Sequence, residues 1–343
     1  MPLSRALVPL AFACAAIVGV PTALAQSRAG AASSPQPNEM RAWLLRIHDA
    51  ASRRNFQGTF VVSGGGGVAS ARISHFHEGA NQYERIESLD GRQRKVFRHN
   101  DVVHTLWPAS KVAMIEQRGQ LSSFPALLQA SDDHLAEWYE MQLEGIDRVA
   151  GYEADVLAVK PRDKSRYGYR LWADRPSGLL LRVDVIGERG ETLETAAFSE
   201  VSIGVRSQPE SVVQAMKKLD GYRIVRPALT PTRLEDEGWF MRPATPGFRL
   251  VSCVRRQMEM PGEAAGDPNA APVLQTIYSD GLTYVSVFIE RYRADRHTEP
   301  VFVSLGATVT FGQRQGDWWV TVVGDTPPST LKTFAAALER KKP

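Results

Sequence analysis

Hydrophobic and polar positions along the chain follow two periods, and the change between them marks the elements. From Asn38 to about Arg54, Met40, Trp43, Leu44, Ile47 and Ala51 recur at helical spacing on one stripe, and Asn38 is well suited to the N-cap. His48 falls off that stripe and is expected at the surface. From Gln57 the period becomes two. Short runs rich in Val, Ile, Phe and Tyr occupy 57–63, 69–77, 82–88, 94–99, 102–106 and 111–117, divided by turn residues such as Gly64 to Gly67, Asp90-Gly91 and Asn100-Asp101. No helical crossover fits between them, so the pattern predicts antiparallel hairpins. A helical interruption over 124–136, carrying Leu127, Leu128 and Leu135, precedes strands at 139–149, 152–160, 167–173, 178–188 and 192–205. Eleven strands and two helices predict one large, strongly curved sheet with helices packed on one face.

Residues 206–231 read as a linker, with Pro209, Pro227 and Pro231 around one short helix at 210–219 closed by Gly221. A smaller set of strands follows at 249–258, 273–278, 284–292, 308–313 and 318–323, interrupted by a loop at 261–272. The chain ends in a helix after Pro327-Pro328, with Leu331, Phe334, Ala335 and Leu338 as its buried stripe. The expected class is therefore α+β and β-dominated: a large domain at 39–205, a linker at 206–231 and a small α+β domain at 232–343.

The N-terminus changes the cellular picture. Arg5, the apolar run Leu7 to Val20 and Ala23-Leu24-Ala25 make a secretory signal over 1–25, followed by an Ala-, Ser-, Gln- and Pro-rich leader at 26–38. The apolar run falls short of the ~20 residues that span a bilayer. Cleavage after Ala25 removes Cys14 and leaves Cys253, which sits among Leu250, Val251 and Val254 as a buried strand thiol. A single cysteine forms no internal disulfide, so an exported fold must rest on its core.

The 41 basic and 38 acidic residues, net +3, give no nucleic-acid footprint. Arg92-Arg94-Lys95-Arg98 and Arg340-Lys341-Lys342 are solvated faces or contacts for an anionic lipid headgroup. His75 and His77 share a strand face, yet no third ligand stands nearby, and no metal or cofactor is expected. Gly64 to Gly67 lacks the Lys-Ser/Thr of a P-loop and reads as a flexible hairpin tip. No nucleophile elbow or nucleophile–base pair is visible. The expectation is a binding protein rather than an enzyme.

Apolar positions supply the candidates for binding. Tyr167, Tyr169 and Leu171 share one strand face, and Leu179, Leu181, Val183 and Val185 form an apolar ladder. With Phe60 and Val62 from the first strand, Tyr169, Leu171, Leu179, Leu181 and Val183 are candidates to line a concavity for an apolar ligand. Trp318 and Trp319 point to opposite strand faces. One ring belongs in the core; the other is either an exposed anchor for a partner or shielded by the terminal helix.

Several blocks occur in a specific order: Asn55-Phe56-Gln57-Gly58-Thr59-Phe60, Leu89-Asp90-Gly91, Arg166-Tyr167-Gly168-Tyr169-Arg170-Leu171-Trp172 and Gly190-Glu191-Thr192-Leu193-Glu194. Pro246-Gly247-Phe248, Tyr278-Ser279-Asp280-Gly281-Leu282, Val285-Ser286-Val287-Phe288 and Val322-Val323-Gly324-Asp325-Thr326-Pro327-Pro328 follow. In this order they resemble the periplasmic sigma-E regulatory family RseB/MucB over nearly all of the chain that follows the signal. Lys95 and the segment Arg242-Pro243-Ala244-Thr245-Pro246 depart from the family pattern.

The resemblance implies a large LolA/LolB-like unclosed half-barrel and a smaller domain that helps grip the periplasmic segment of an RseA/MucA-like membrane anti-sigma factor. Tyr278, Asp280, Phe288, Trp318 and Trp319 are the partner-binding candidates. It further implies that binding shields the anti-sigma factor from a site-1 protease, and that acylated lipoprotein or lipopolysaccharide relieves the block. A periplasmic lipoprotein or lipid carrier of the LolA/LolB type is the alternative, and a homo-oligomer is left open.

Overall fold

The computed structural model describes residues 37–117, 134–242, 245–257 and 272–341. The expected signal peptide, the leader up to residue 36, Leu127 and Leu128, the loop 261–271 and Lys342 lie outside the described residues. Helix α1 (Pro37–Arg53) buries Met40, Leu44, Ile47, Ala50 and Ala51, with Trp43 partly covered. His48 is half-buried rather than exposed.

Six strands follow as hairpins: β1 (Phe56–Gly64), β2 (Gly67–Glu78), β3 (Asn81–Ser88), β4 (Lys95–His99), β5 (Val102–Trp107) and β6 (Val112–Gln117). The Asn100-Asp101 turn between β4 and β5 places Asn100 at φ 53°, and the Asn100 amide holds the preceding hairpin through Gln82 N–H at 2.9 Å and Asn81 at 2.9 Å. A short helix α2 (Leu135–Trp138) then leads into β7 (Tyr139–Val149), β8 (Tyr152–Pro161), β9 (Gly168–Asp174), β10 (Leu180–Ile186) and β11 (Thr192–Ile203).

These strands form one sheet in the order β6-β5-β4-β3-β2-β1-β11-β10-β9-β8-β7. Each half is a local meander, and among the described strands the halves pair along β1 and β11, where Phe56 faces Ile203 and Val62 faces Ala196. The terminal strands do not pair with each other, so the sheet is unclosed. One face carries α1, which packs on Tyr139, Met141, Leu157, Leu171, Leu180 and Val183.

The segment expected as a linker is built into both sheets. Helix α3 (Pro209–Lys217) covers Phe76, Phe97, Leu106 and Ala113 through Val212, Ala215 and Met216. Those strand positions alternate with the ones facing α1, so helices pack on both faces of the sheet and not on one. Strand β12 (Arg223–Val225) then adds to β6 in parallel, and β13 (Leu229–Pro231) starts the second sheet. Three prolines suggested irregular chain, but Pro209 sits in the first turn of α3, where its missing N–H costs nothing.

Strand β14 (Trp239–Met241) precedes β15 (Arg249–Arg256), β16 (Val273–Ser279), β17 (Tyr284–Arg291), β18 (Val301–Leu305), β19 (Thr308–Gln315) and β20 (Trp318–Gly324). The second sheet runs β13-β15-β16-β17-β20-β19-β18. Helix α4 (Pro328–Ala337) buries Leu331, Phe334 and Ala335 against Val285, Val287, Ile289, Val320 and Val322, and β21 (Leu338–Arg340) returns to pair with β14. The three-residue strands β13, β14 and β21 are too short to carry a periodic signal, and β18, exposed on both faces, has no alternation to read.

Candidate functional site

The sheets meet at a buried joint. Arg166, in the turn before β9, and Asp280, in the turn after β16, form an ion pair at 3.1 Å with neither side chain exposed. The remaining Arg166 donors reach Asp163 at 3.1 Å and the Pro246 carbonyl at 2.6 Å, and its guanidinium lies among Trp138, Tyr139 and Phe248. Asp280 accepts from the Tyr139 hydroxyl at 2.8 Å and from the Leu282 and Thr283 amides at 3.0 and 2.9 Å. Every oxygen of the carboxylate is thus used, as a buried charge requires.

Burial pushes the Asp280 carboxyl above its usual range, opposed by the Thr283 and Leu282 amides, Arg166 and Tyr139. Burial, and then Asp280, raise the Tyr139 hydroxyl well above its ordinary value. Gly247 passes so close to Trp138 that a Cβ there would lie 2.7 Å from the indole, and its φ of +86° also demands glycine.

Further ties flank the joint. Thr330 donates to the Ser165 carbonyl at 2.9 Å, and Thr283 to the Asp325 carbonyl at 3.0 Å. The blocks around Arg166, Gly247, Asp280 and Asp325, separated by scores of residues, therefore converge on one place. Gly65, at the tip of the β1–β2 hairpin, meets the β18–β19 turn, where a Cβ would lie 2.5 Å from Gly306 N. The tip expected to be flexible is packed against the second sheet.

Beside the joint, between the sheets, lies a cavity of about 420 Å³. Phe60, Val62, Tyr169 and Val183 line it, as do Ile86, Val185 and Ala196, while Leu282, Thr283 and Tyr284 form its wall from the second sheet. Arg94, Glu194 and Asp325 supply the polar part of the lining. Burial pushes the Glu194 carboxyl above its usual range, opposed by the Ala307 amide. Burial also raises the Tyr169 hydroxyl.

Leu171, Leu179 and Leu181 do not line this cavity. Leu171 is buried beneath α1. A register shift between Leu180 and Arg182 leaves Leu181 without a partner on β9, so Leu180 and Val183 face α1. Leu179 and Leu181, both 0% exposed, belong to a neighbouring core cluster with Trp172, Val156 and Ala50 at the C-terminal end of α1. The single-face ladder is thus broken by a bulge that strict alternation does not reveal.

The partner-binding candidates are scattered. Asp280 is enclosed in the joint. Tyr278 packs on Phe334 at 5.3 Å and lines a second groove of about 500 Å³ with Met241, Phe248 and Leu250. Phe288 lies half-buried on the face opposite α4, since Val287 and Ile289 take the α4 side. Trp318 meets Trp239 edge-on at 5.6 Å between Arg291 and Arg340. Trp319, on the other face, stacks on His297 at 4.7 Å. Both indoles are shielded, but only Trp318 joins the cluster beneath α4.

His75 is 1% exposed, stacked on Phe56, with Nδ1 2.9 Å from the Arg54 carbonyl, whereas His77 is half-buried. Among the described residues no group of three His, Cys, Asp or Glu side chains is placed to hold a metal. Cys253 is half-buried, and burial pushes its thiol up to about 11. No helix among the described residues is long and apolar enough to cross a membrane.

A fold of this kind, an unclosed sheet fastened to a second sheet-and-helix layer, recurs in solved structures of regulatory proteins. The MucA/MucB complex of Pseudomonas aeruginosa superposes with a TM-score of 0.66 at 28% identity, covering 88% of this chain and 99% of that one. MucB in complex with MucA(peri) gives 0.64 at 29% identity, with the same coverage. The sigma factor AlgU regulatory protein MucB of Pseudomonas aeruginosa is 31% identical over 86% of this chain and 89% of its own length. The sigma-E factor regulatory protein RseB of Escherichia coli is 26% identical over 86% and 88%. The family profiles for the MucB/RseB N-terminal and C-terminal domains match residues 39–216 and 233–339. The chain belongs to the MucB/RseB family.

Proposed function

We propose that this protein is a periplasmic negative regulator of an envelope-stress sigma factor. It binds the periplasmic segment of a membrane anti-sigma factor, shields that segment from a site-1 protease, and lets go when the acyl chains of a lipoprotein or lipopolysaccharide enter the cavity between the sheets. One observation carries the reading: the turn that walls the cavity with Leu282, Thr283 and Tyr284 also holds Asp280 against Arg166. A ligand that displaces this wall strains the tie between the sheets. The relatives solved with MucA support the choice of partner.

The energetics are sufficient. Each buried methylene contributes ~0.8 kcal/mol. Inverting a strongly biased two-state equilibrium takes about 5.5 kcal/mol of differential binding, so roughly seven methylenes suffice. The test is cleavage of the anti-sigma periplasmic domain by the site-1 protease, with this protein present and lipopolysaccharide added or withheld. Protection that lipid abolishes is expected. Failure to bind the anti-sigma domain while lipid still binds would instead make the protein a lipid carrier.

A further inference from the structure

Each main sheet has two edges, and unpaired edges invite association unless they are blunted. In the first sheet, β7 carries Glu140, Glu144, Asp147 and Arg148 and a bulge between Leu143 and Gly145, and β12 has three residues. In the second sheet, β13 has three residues and ends in Pro231. Strand β18 has no such device. Val301-Phe302-Val303-Ser304-Leu305 contains no charge, proline or bulge; among the described residues it pairs only with β19 and is exposed throughout. Phe302, Val303 and Leu305 are 55%, 54% and 64% exposed.

We propose that β18 receives an extended segment of the anti-sigma factor's periplasmic domain, rich in β-branched or aromatic residues, as an added strand of the second sheet. This rests on the function proposed above. Strand addition supplies affinity through main-chain hydrogen bonds, and the alternating side chains supply specificity. A second copy of this chain fits less well. Five residues paired with their symmetry mates cover far less than the roughly 800 Å² per partner of a standard interface. A long segment can continue past β18. The end of β18 adjoins the Gly65 tip, where the neighbouring Val68 is 69% exposed, so such a segment extends onto the first sheet.

The test uses the purified chain with its signal removed and the periplasmic domain of its cognate MucA-type anti-sigma factor. Hydrogen exchange by mass spectrometry is measured with and without the partner, alongside affinities of Val303→Lys and of Ile146→Lys on the blunted edge. Slowed exchange at 301–305 in the complex is expected, with affinity at least tenfold weaker for Val303→Lys and unchanged for Ile146→Lys. A complex that leaves exchange at 301–305 unaltered overturns the proposal while the regulatory function stands, whether or not Val303→Lys folds. No complex with the wild-type chain overturns both. Protection of 301–305 that grows with concentration of this chain alone identifies a second copy as the occupant and overturns the choice of partner.

Discussion

Arg166 and Asp280 stand 114 residues apart in sequence and meet at 3.1 Å where no solvent reaches either side chain. Each is the other's counter-charge, and each also holds backbone from the far sheet or its own turn. Removing one member therefore leaves a buried charge uncompensated. Asp280→Asn should destabilise the protein by about 3 kcal/mol, at the low end for a broken buried pair. Urea titration of Asp280→Asn, Arg166→Met and the double variant should reveal strong coupling, and additive losses would show that the pair does not act as a unit.

The bulge at Leu181 separates core from cavity. Leu181→Asn should cost at least about 3 kcal/mol, since it opens a packed site and buries an amide without partners. Val62→Asn, at a half-buried position on the cavity wall, should cost about 1 kcal/mol. It should weaken binding of an acylated probe roughly tenfold, the equivalent of about 1.4 kcal/mol. Equal stability losses for the two variants would mean that the cavity wall is ordinary core.

Gly247→Ala tests the packing of the joint. Its methyl group would overlap the Trp138 ring and occupy a strained backbone region, so a loss of about 1–3 kcal/mol is expected. Near-ultraviolet circular dichroism should change as Trp138 shifts; an unchanged spectrum and stability would contradict the close approach.

Acid should destabilise the fold through His75. Burial holds its pKa below 6.5, and the charges of His77 and Arg98 act in the same direction, against Glu84 and the Arg54 carbonyl. The unfolded chain therefore takes up a proton that the folded chain refuses. His75 contributes its full stability above about pH 6.5, and that contribution is lost as pH falls through the depressed native value. His104, also lowered by burial, acts with the same sign. Denaturation midpoints above and below pH 6.5 should differ less in His75→Gln than in wild type. An identical pH slope would show that His75 does not titrate with unfolding.

Periodicity located α1, α4 and the long strands because each has one buried face and spans at least two repeats of its pattern. It did not reveal β21, which is too short, β18, which is exposed on both faces and so lacks alternation, or the shift at Leu181, where alternation fails within an unbroken apolar run. The cavity was half legible. Phe60, Val62, Tyr169 and Val183 announced themselves as apolar strand positions, but Leu282 and Tyr284 reach the cavity only because the second sheet is folded against the first. Asp280 stood out in its block, yet nothing local said that its partner would be Arg166 rather than another protein.

The seam between β1 and β11 sets an order of events during folding. Hairpins within each half close over short loops, whereas Phe60 meets Phe198 and Val62 meets Ala196 only after most of the first sheet has been made. Closing so long a loop carries an entropic cost that local contacts cannot share, so this pairing forms late. Phe60 and Val62 lie on one side of the seam, and Ala196 and Val183 on the other. A chain in which β11 has not yet paired with β1 therefore lacks one wall of the cavity, and Leu282, Tyr284 and Asp325 complete the enclosure only once the second sheet has formed.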